Sequence, residues 1–199
     1  IAVIPNGVDY DYFSPDHELP RVLPAEGPQL VFTGAMDYHA NVDGVCWFSR
    51  EIFPTLKKEF PQLQFTIVGS KPAAAVRELA AIEGIAVTGF VDDVRPYYRD
   101  ADVCVIPLRL ARGVQNKVLE ALAMGKAVVT TSKANAGIQA TDGEHLRVAD
   151  TAEAFIKAVT SLLHKPQQRE SLGNKARDFV VRHYDWATNM EQLEQLLTA

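Results

Sequence analysis

The stretch from 101 to 131 constrains the fold most, because it predicts a strand, a loop, a helix and a second strand in succession. Residues 101–106 form an apolar run with β-branched side chains, which is typical of a buried strand. Apolar residues recur at helical spacing over 115–124, and Gly125 follows where a helix would end. A second apolar strand is predicted at 127–131. This strand–helix–strand unit predicts an α/β architecture with parallel strands.

Strand-like and helical segments alternate along the rest of the chain. Pro54 lies inside the first helical run, over 42–56, where it should kink the helix or begin a second one. The alternation predicts an α/β, Rossmann-like parallel sheet with helices on both faces. The remaining strand-like runs lie at 30–33, 64–68, 85–88 and 144–148.

A ligand in such a sheet binds beyond the carboxyl ends of the strands. Four loops should therefore line one crevice, and each contains a glycine, which suits either a close backbone approach to a ligand or a simple turn. The loops follow Thr33, Val68, Thr88 and Ile106, and their glycines are Gly34, Gly69, Gly89 and Gly113.

Polar residues in the helix predicted over 115–124 point to a ligand. Asn116 and Glu120 lie one turn apart, with Lys117 beside them. A helix N-terminus favours an anion such as phosphate, and a lysine in the first turn opposes the helix dipole unless it contacts one. One interpretation is that Lys117 contacts an anion while Glu120 accepts hydrogen bonds from a sugar hydroxyl. The alternative is a surface Lys–Glu pair, worth ~0.3–0.5 kcal/mol.

Composition narrows the classes of protein that fit. The net charge of −5 gives no basic footprint for nucleic acid, so no nucleic-acid partner is expected. Cys46 and Cys104 lie among apolar neighbours, which favours reduced cysteines and a cytoplasmic location over a disulfide or metal site. No apolar run approaches the ~20 residues of a membrane span. Because the chain begins with Ile1, we expect it to be part of a longer protein.

The segment 112–129 resembles the donor-site motif of GT-B glycosyltransferases of family four, the group 1 glycosyl transferases. That motif is a Glu, seven residues, a second Glu, then Ala-Met-Ala-x-Gly-x-Pro-Val-Val. The second Glu matches Glu120, and Ala-Leu-Ala-Met-Gly-Lys-Ala-Val-Val follows it. The first Glu falls on Arg112, which departs from the pattern. This version of the motif is similar to that of exopolysaccharide (PEP-CTERM)-associated sugar transferases.

Two further motifs extend this resemblance from Val3 to Trp186. Val-Ile-Pro-Asn-Gly-Val-Asp at 3–9 is similar to the start of the GT-B C-terminal domain, and Ala-Asp-Val-Cys-Val-Ile-Pro at 101–107 matches a second family pattern. The resemblance implies one nucleotide-sugar-binding domain over 1–199, with a terminal helix at 185–199 that packs toward an N-terminal domain outside the chain.

The resemblance also implies an activity, a donor and an acceptor. The chain would be the donor-binding half of a retaining, metal-independent glycosyltransferase in polysaccharide or exopolysaccharide synthesis, with no cofactor. Its donor would be a nucleotide-diphosphate sugar. A carbohydrate or lipid-linked acceptor would be held by the missing N-terminal domain, and the full-length enzyme could associate peripherally with a membrane. The fragment alone should be inactive.

The resemblance assigns roles to individual residues but identifies no catalytic group. Glu120 would accept hydrogen bonds from ribose hydroxyls, and Lys117 would hold the diphosphate with backbone amides at 113–115. Arg109 or Arg112 would add positive charge beside the leaving group. The basic residues that the family usually carries after the first strand are absent, because Ala35 and Asn41 stand there. The expected substrate-binding residues are Gly34, Gly89, Val91, Arg109, Arg112, Gly113, Val114, Gln115, Asn116, Lys117 and Glu120.

Three alternatives stay open at this point. Phe90 could stack on the nucleotide base, or it could be buried in the core. The chain could be a GT-B epimerase or a non-catalytic nucleotide-sugar-binding module. A dinucleotide-dependent oxidoreductase fits poorly, because Gly-x-Gly-x-x-Gly followed by an acidic residue about twenty positions later does not occur in the sequence.

Overall fold

A computed structural model of the chain describes residues 6–186, 189–190 and 194. Its strands are β1 (Gln29–Thr33), β2 (Gln64–Val68), β3 (Ile85–Val87), β4 (Val103–Ile106), β5 (Ala127–Thr130) and β6 (Arg147–Val148). Within the described residues they form one sheet in the order β3-β2-β1-β4-β5-β6, with every pair parallel. All residues of β1, β4 and β5 are buried, so the sheet is covered on both faces, as predicted.

Helices connect these strands. Their bounds are α1 (His39–Trp47), α2 (Phe53–Glu59), α3 (Ala74–Arg77), α4 (Arg95–Asp100), α5 (Asn116–Ala123), α6 (Ser132–Asn135), α7 (Ala152–His164) and α8 (Pro166–His183). A π-helical segment, Phe48–Ile52, joins α1 to α2, and a short 3₁₀ helix, Glu78–Ala81, extends α3. No described helix has both the length and the apolar character needed to cross a membrane.

The first helical run confirms the effect predicted for Pro54. The proline lies in the first turn of α2, where no intrahelical N–H partner is required, and the π-helical segment precedes it. Trp47 and Phe48 both pack against Phe155 of α7, at ring-centroid distances of 5.8 and 6.0 Å. This aromatic cluster packs the end of α1 and the start of the π-helical segment against α7.

The structure corrects some sequence-based boundaries. The strand predicted over 144–148 is reduced to Arg147–Val148, because residues 142–146 form a tight turn in which Gly143 N–H donates to the carbonyl oxygen of Leu146. Cys104 is buried and Cys46 is partly exposed, and both are free thiols. Most of the terminal helix predicted at 185–199 lies outside the described residues.

The N-terminal segment is attached to the end of the chain and to α5. Val8 N–H donates to the carbonyl oxygen of Tyr184 at 2.9 Å. The Arg177 guanidinium donates to the carbonyl oxygens of Tyr10, Phe13 and Ala123. These bonds hold the segment 7–13 beside α5, next to the carboxyl edge of the sheet.

Helix α5 ends in a Schellman motif, as its glycine predicts. Gly125 has φ +64°, its N–H donates to the Leu122 carbonyl at 2.9 Å, and Lys126 N–H donates to the Ala121 carbonyl at 3.0 Å. Gly173 of α8 packs directly on this turn, because a Cβ atom at Gly173 would lie 2.0 Å from the Gly125 carbonyl oxygen. The end of α5 and the middle of α8 can therefore approach only through two glycines.

We expect Gly173→Ala to lower the free energy of unfolding by about 1–3 kcal/mol, the usual cost of overpacking. Alanine gains ~1 kcal/mol of helix propensity over glycine, but the clash is with a backbone atom that the Schellman motif holds in place, so the clash should prevail. Urea unfolding followed by circular dichroism measures the change. The control is Asn174→Ala, an exposed position on the same helix that should be neutral or slightly stabilising. Equal stability of Gly173→Ala and the parent chain would contradict this packing argument.

Candidate functional site

The loops after the strands meet at a cavity of about 490 Å³, here called the switch-point cavity. It lies where the strand order reverses between β1 and β4, which is the position that ligands favour in open parallel sheets. The expectation that four loops line one crevice is met for the loops after β1, β2, β3 and β4. The cavity is lined by Thr33, Gly34, Val68, Gly69, Ser70, Phe90, Val91, Val94, Val114, Asn116, Lys117 and Glu120.

Two glycines bring the ends of β1 and β2 together beneath the cavity. Gly34 N–H donates to the Val68 carbonyl at 3.0 Å, and Gly69 N–H donates to the Gly89 carbonyl at 3.2 Å. A Cβ atom at Gly69 would lie only 1.7 Å from the Gly34 carbonyl oxygen. This part of the cavity wall is therefore formed by backbone, and a side chain at 69 would force the two loops apart.

The N-terminus of α5 opens toward the same cavity. Gln115 at the N-cap makes no side-chain capping bond, and its amide instead donates to the carbonyl oxygens of Arg112 and Gly113. Gly113 has φ +64°, which turns the chain into the helix. Val118 N–H donates to the Gln115 carbonyl at 2.9 Å, but the N–H groups of Asn116 and Lys117 make no hydrogen bond among the described residues, so these two are available to an anion. Val114 and Asn116 line the cavity beside them.

Lys117 and Glu120 place one positive and one negative group in the cavity wall. Among the described residues, no hydrogen bond or ion pair reaches the Lys117 ammonium, which lies 5.6 Å from the centroid of the Phe32 ring. Burial lowers the pKa of Lys117, and Glu120 opposes that effect. Burial likewise raises the pKa of Glu120, against the hydrogen bond from Tyr98 and the charge of Lys117. This electrostatic cost is not expected of an exposed surface pair.

Tyr98 belongs to this site but was not identified from the sequence. Its ring is 1% exposed, and its hydroxyl lies 2.9 Å from Oε2 of Glu120 and 2.6 Å from Oγ1 of Thr33. The hydroxyl therefore links the end of β1 to α5 and holds the Glu120 carboxylate. Burial raises the pKa of Tyr98 well above its ordinary value, so the phenol stays protonated and can donate to Glu120. The only sequence signal was a tyrosine in the short helix before β4.

Phe90 is exposed rather than buried in the core, which settles one of the alternatives left open by the sequence. It is 75% exposed and lines the cavity together with Val91 and Val94. Gly89 has φ +74° and faces open space, so it turns the chain without crowding the cavity. Phe90, Val91 and Val94 provide an apolar wall opposite α5. Stacking of Phe90 on a base stays a prediction.

The two candidate arginines do not line the switch-point cavity, which corrects the expectation that either adds charge there. Arg109 forms a two-point ion pair with Asp43 at 2.5 and 3.0 Å and lies over the Trp47 ring. Arg112 lines a separate cavity of about 550 Å³. Both residues belong to an irregular loop, in which sequence spacing does not fix side-chain direction.

Asn41 stands where the family usually carries a second basic residue, and it has a structural role here. Asn41 is buried, and its side-chain amide donates to the Ala35 carbonyl at 2.8 Å, which holds the loop after β1. Positive charge at the cavity therefore comes from Lys117 and the N-terminus of α5. Over the described parts of the chain, no group of three or more His, Cys, Asp or Glu side chains is arranged to hold a metal ion.

Comparison with known proteins places this site in a family context. The sequence model of the family described as "Glycosyl transferases group 1" matches residues 27–165, which is more than half of the chain. An uncharacterized 44.6 kDa protein in the cps region of Klebsiella pneumoniae is 23% identical over 164 residues, covering 78% of this chain and 42% of that protein. The putative glycosyltransferase EpsD of Bacillus subtilis is 25% identical over 152 residues, covering 72% and 39%.

A solved structure shows the same fold. Anabaena Alr3699/HepE, determined in complex with UDP and glucose, superimposes with a TM-score of 0.74 at 14% identity, covering 100% of this chain and 56% of that one. The chain thus spans about two fifths of the length of the curated relatives that it matches.

Proposed function

The chain belongs to the group 1 glycosyl transferases, and on that premise we propose that it is the donor-binding half of a glycosyltransferase that uses a nucleoside diphosphate sugar. The observation that carries the proposal is the Lys117 ammonium, which lies in the wall of the switch-point cavity with Glu120 one turn away. Among the described residues no hydrogen bond or ion pair satisfies this ammonium, although the charge of Glu120 stabilises it, and a buried cation in this state favours an anionic ligand.

Different residues of the cavity wall suit the diphosphate, the ribose and the nucleobase of such a donor. The N-terminus of α5 and Lys117 provide hydrogen-bond donors and positive charge for the diphosphate. Glu120 presents a carboxylate, held by Tyr98, that can accept hydrogen bonds from ribose hydroxyls. Phe90 and its apolar neighbours can cover a nucleobase. The solved relative bound to UDP and glucose supports a donor of this class.

The same residues suggest how the chain helps the reaction. When the bond between the sugar and the diphosphate breaks, negative charge develops on the leaving phosphate, and Lys117 with the α5 amides would stabilise it. We propose a retaining, metal-independent reaction because the segment 112–129 resembles enzymes of that type. The acceptor-binding site would include a region outside this chain.

We further propose a role in polysaccharide or exopolysaccharide synthesis in the cytoplasm. The relatives described as a protein in the cps region and as EpsD support the pathway. Two free cysteines support the location. Peripheral membrane association stays a prediction, and co-sedimentation of the full-length enzyme with lipid vesicles tests it.

Nucleotide binding tests the proposed function directly. Titration of the chain with UDP, GDP, ADP and NAD, followed by NMR chemical shifts, should show binding of a nucleoside diphosphate. Lys117→Ala should weaken that binding about tenfold or more, because a charge-assisted contact is worth ~1.5–3 kcal/mol. The control is Lys58→Ala, an exposed lysine on α2. Binding of NAD alone, or unchanged affinity in Lys117→Ala, would contradict the proposal.

Glu120→Gln separates a binding role from a structural one in the same titration. Because burial raises the pKa of Glu120, its charged form costs stability near pH 7, and this cost should vanish in the uncharged variant. We expect weaker nucleotide binding together with thermal stability equal to or above that of the parent chain. A clear loss of stability with unchanged nucleotide affinity would assign Glu120 to the fold instead.

A further inference from the structure

A second cavity opens beside the switch-point cavity, and we call it the charged cavity. Its volume is about 550 Å³, and it is lined by Tyr38, His39, Ala40, Leu110, Ala111, Arg112 and Lys133. The two cavities share their loops: the segment after β1 contributes to one at Gly34 and to the other at Tyr38, and the segment after β4 contributes at Val114 and at Arg112. The same two loops therefore contribute to both cavities.

The charged cavity carries two cations without counter-charges. Within the described parts of the chain, neither the Arg112 nor the Lys133 side chain forms an ion pair or hydrogen bond, and no residue lining the cavity is acidic. The nearby Arg109 differs, because Asp43 neutralises it at 2.5 Å. In a chain with a net charge of −5, a local excess of two positive charges favours an anionic ligand.

Both cations stand on backbone segments that the fold holds in place. The Gln115 amide donates to the Arg112 carbonyl at 3.0 Å, and a Cβ atom at Gly137 would lie 2.5 Å from the Gly113 carbonyl oxygen. Thr131 caps the helix that carries Lys133, and its hydroxyl donates to the Leu108 carbonyl at 2.5 Å. The loop after β4 is thus tied to the segment after β5, so the backbone that carries the two cations is held in place before any ligand binds.

Two apolar side chains complete the cavity. Tyr38 is 63% exposed and Leu110 is 47% exposed, and they lie in the loops after β1 and β4. An exposed aromatic ring next to an aliphatic side chain can cover the C–H face of a sugar ring, while the cations contact its charged substituent. The combination fits a small ring that carries a negative charge better than it fits a neutral sugar.

We propose that the charged cavity binds a sugar that carries a carboxylate group, of the hexuronate type. The inference rests on the proposed function, since the neighbouring cavity would hold the diphosphate of the donor. The carboxylate could belong to the transferred sugar or to a sugar of the acceptor, because both must meet beside the diphosphate. Arg112 and Lys133 are the residues that would recognise it.

The test compares ligands that differ only at C6 of the sugar. The donor arm measures dissociation constants for UDP-glucose against UDP-glucuronate and for GDP-mannose against GDP-mannuronate. The acceptor arm measures methyl glucoside against methyl glucuronide in the presence of saturating UDP or GDP. We expect about fivefold tighter binding of the acidic member in one arm, as two partly exposed charge contacts give. This preference should shrink as salt is raised.

Variants decide whether the charged cavity is responsible. Arg112→Gln/Lys133→Gln should abolish the preference for the acidic sugar while UDP or GDP alone binds as before. The matched control is Lys58→Gln/Arg182→Gln, which removes the same charge from exposed positions on α2 and α8. A preference in the donor arm assigns the carboxylate to the transferred sugar, and one in the acceptor arm assigns it to the acceptor. No preference in either arm, or a preference that survives the double variant, overturns the proposal. Absence of nucleoside diphosphate binding by the parent chain refutes the proposed function itself.

Discussion

Gly69→Ala should lower the free energy of unfolding by about 3–5 kcal/mol, a large part of the stability of an ordinary domain. The new Cβ atom would lie 1.7 Å from the Gly34 carbonyl oxygen and 2.8 Å from its carbonyl carbon. Neither backbone can move freely, because Thr33 and Val68 are paired in the sheet one residue earlier. The residue also has φ +153°, which alanine rarely adopts.

Urea unfolding measures this loss, and Gly89→Ala is its matched control. Gly89 follows the next strand and also has a positive φ, +74°, but its Cβ position faces open space. Only the backbone cost of about 1–2 kcal/mol should remain there. If both variants lost the same stability, the close approach of the β1 and β2 loops would have no energetic role.

Tyr98→Phe should both destabilise the protein and weaken nucleotide binding. Removing the hydroxyl leaves the Glu120 carboxylate and the Thr33 hydroxyl without this buried partner, which costs about 1–3 kcal/mol. The carboxylate would also lose the contact that holds its position, so we expect nucleotide affinity to fall several-fold. The ring itself stays, and the packing of α4 against β1 should be preserved.

The pH dependence of binding distinguishes positioning from packing. Two neighbouring groups affect the charge of Glu120. Lys117 on the same helix and Tyr98 on α4 both lower the pKa of Glu120, against the effect of burial. Asp9 of the N-terminal segment lines a small cavity on the other side of Glu120. Without the Tyr98 hydroxyl, the pKa of Glu120 should rise further. Nucleotide binding that needs the charged carboxylate should then decline at a higher pH as the solution is acidified.

The stability of Tyr98→Phe should also depend on pH, because the pKa of Glu120 rises in this variant. An acid whose pKa is raised in the folded state stabilises the fold below its unfolded pKa and loses that contribution as the pH rises through the folded value. Tyr98→Phe should therefore be more sensitive than the parent chain to a rise from acidic to neutral pH. Tyr97→Phe is the control, since it removes a phenol hydroxyl without a hydrogen bond among the described residues. Identical pH profiles for Tyr98→Phe and the parent chain would contradict the role of Tyr98 in positioning the Glu120 carboxylate.

Local features of the site were readable in the sequence because they depend on neighbours along the chain. The spacing of Asn116, Lys117 and Glu120 follows from helical periodicity, and the helix stop at Gly125 follows from its tolerance of positive φ. The structure places all of these as predicted in or beside the cavity or at the end of α5. Short-range physics was sufficient for them.

Contacts between distant segments could not be predicted in this way. Tyr98 contacts Thr33 and Glu120, which are 65 and 22 residues away. Arg109 is withdrawn from the cavity by Asp43, 66 residues away, while Arg112 faces a different cavity. No periodicity encodes such pairs, because they depend on how the loops after separate strands are brought together.

The sequence by itself determined the α/β alternation, the glycines after β1, β2 and β3 and the helix that carries Lys117 and Glu120, since each depends on local conformational preference and on apolar periodicity. Only the tertiary structure decided the strand order, the buried hydroxyl that holds the Glu120 carboxylate and the separation of the two arginines into different environments. The physical reason is that burial and pairing are properties of the assembled sheet, in which desolvation and partners from remote segments set the charge and direction of each side chain.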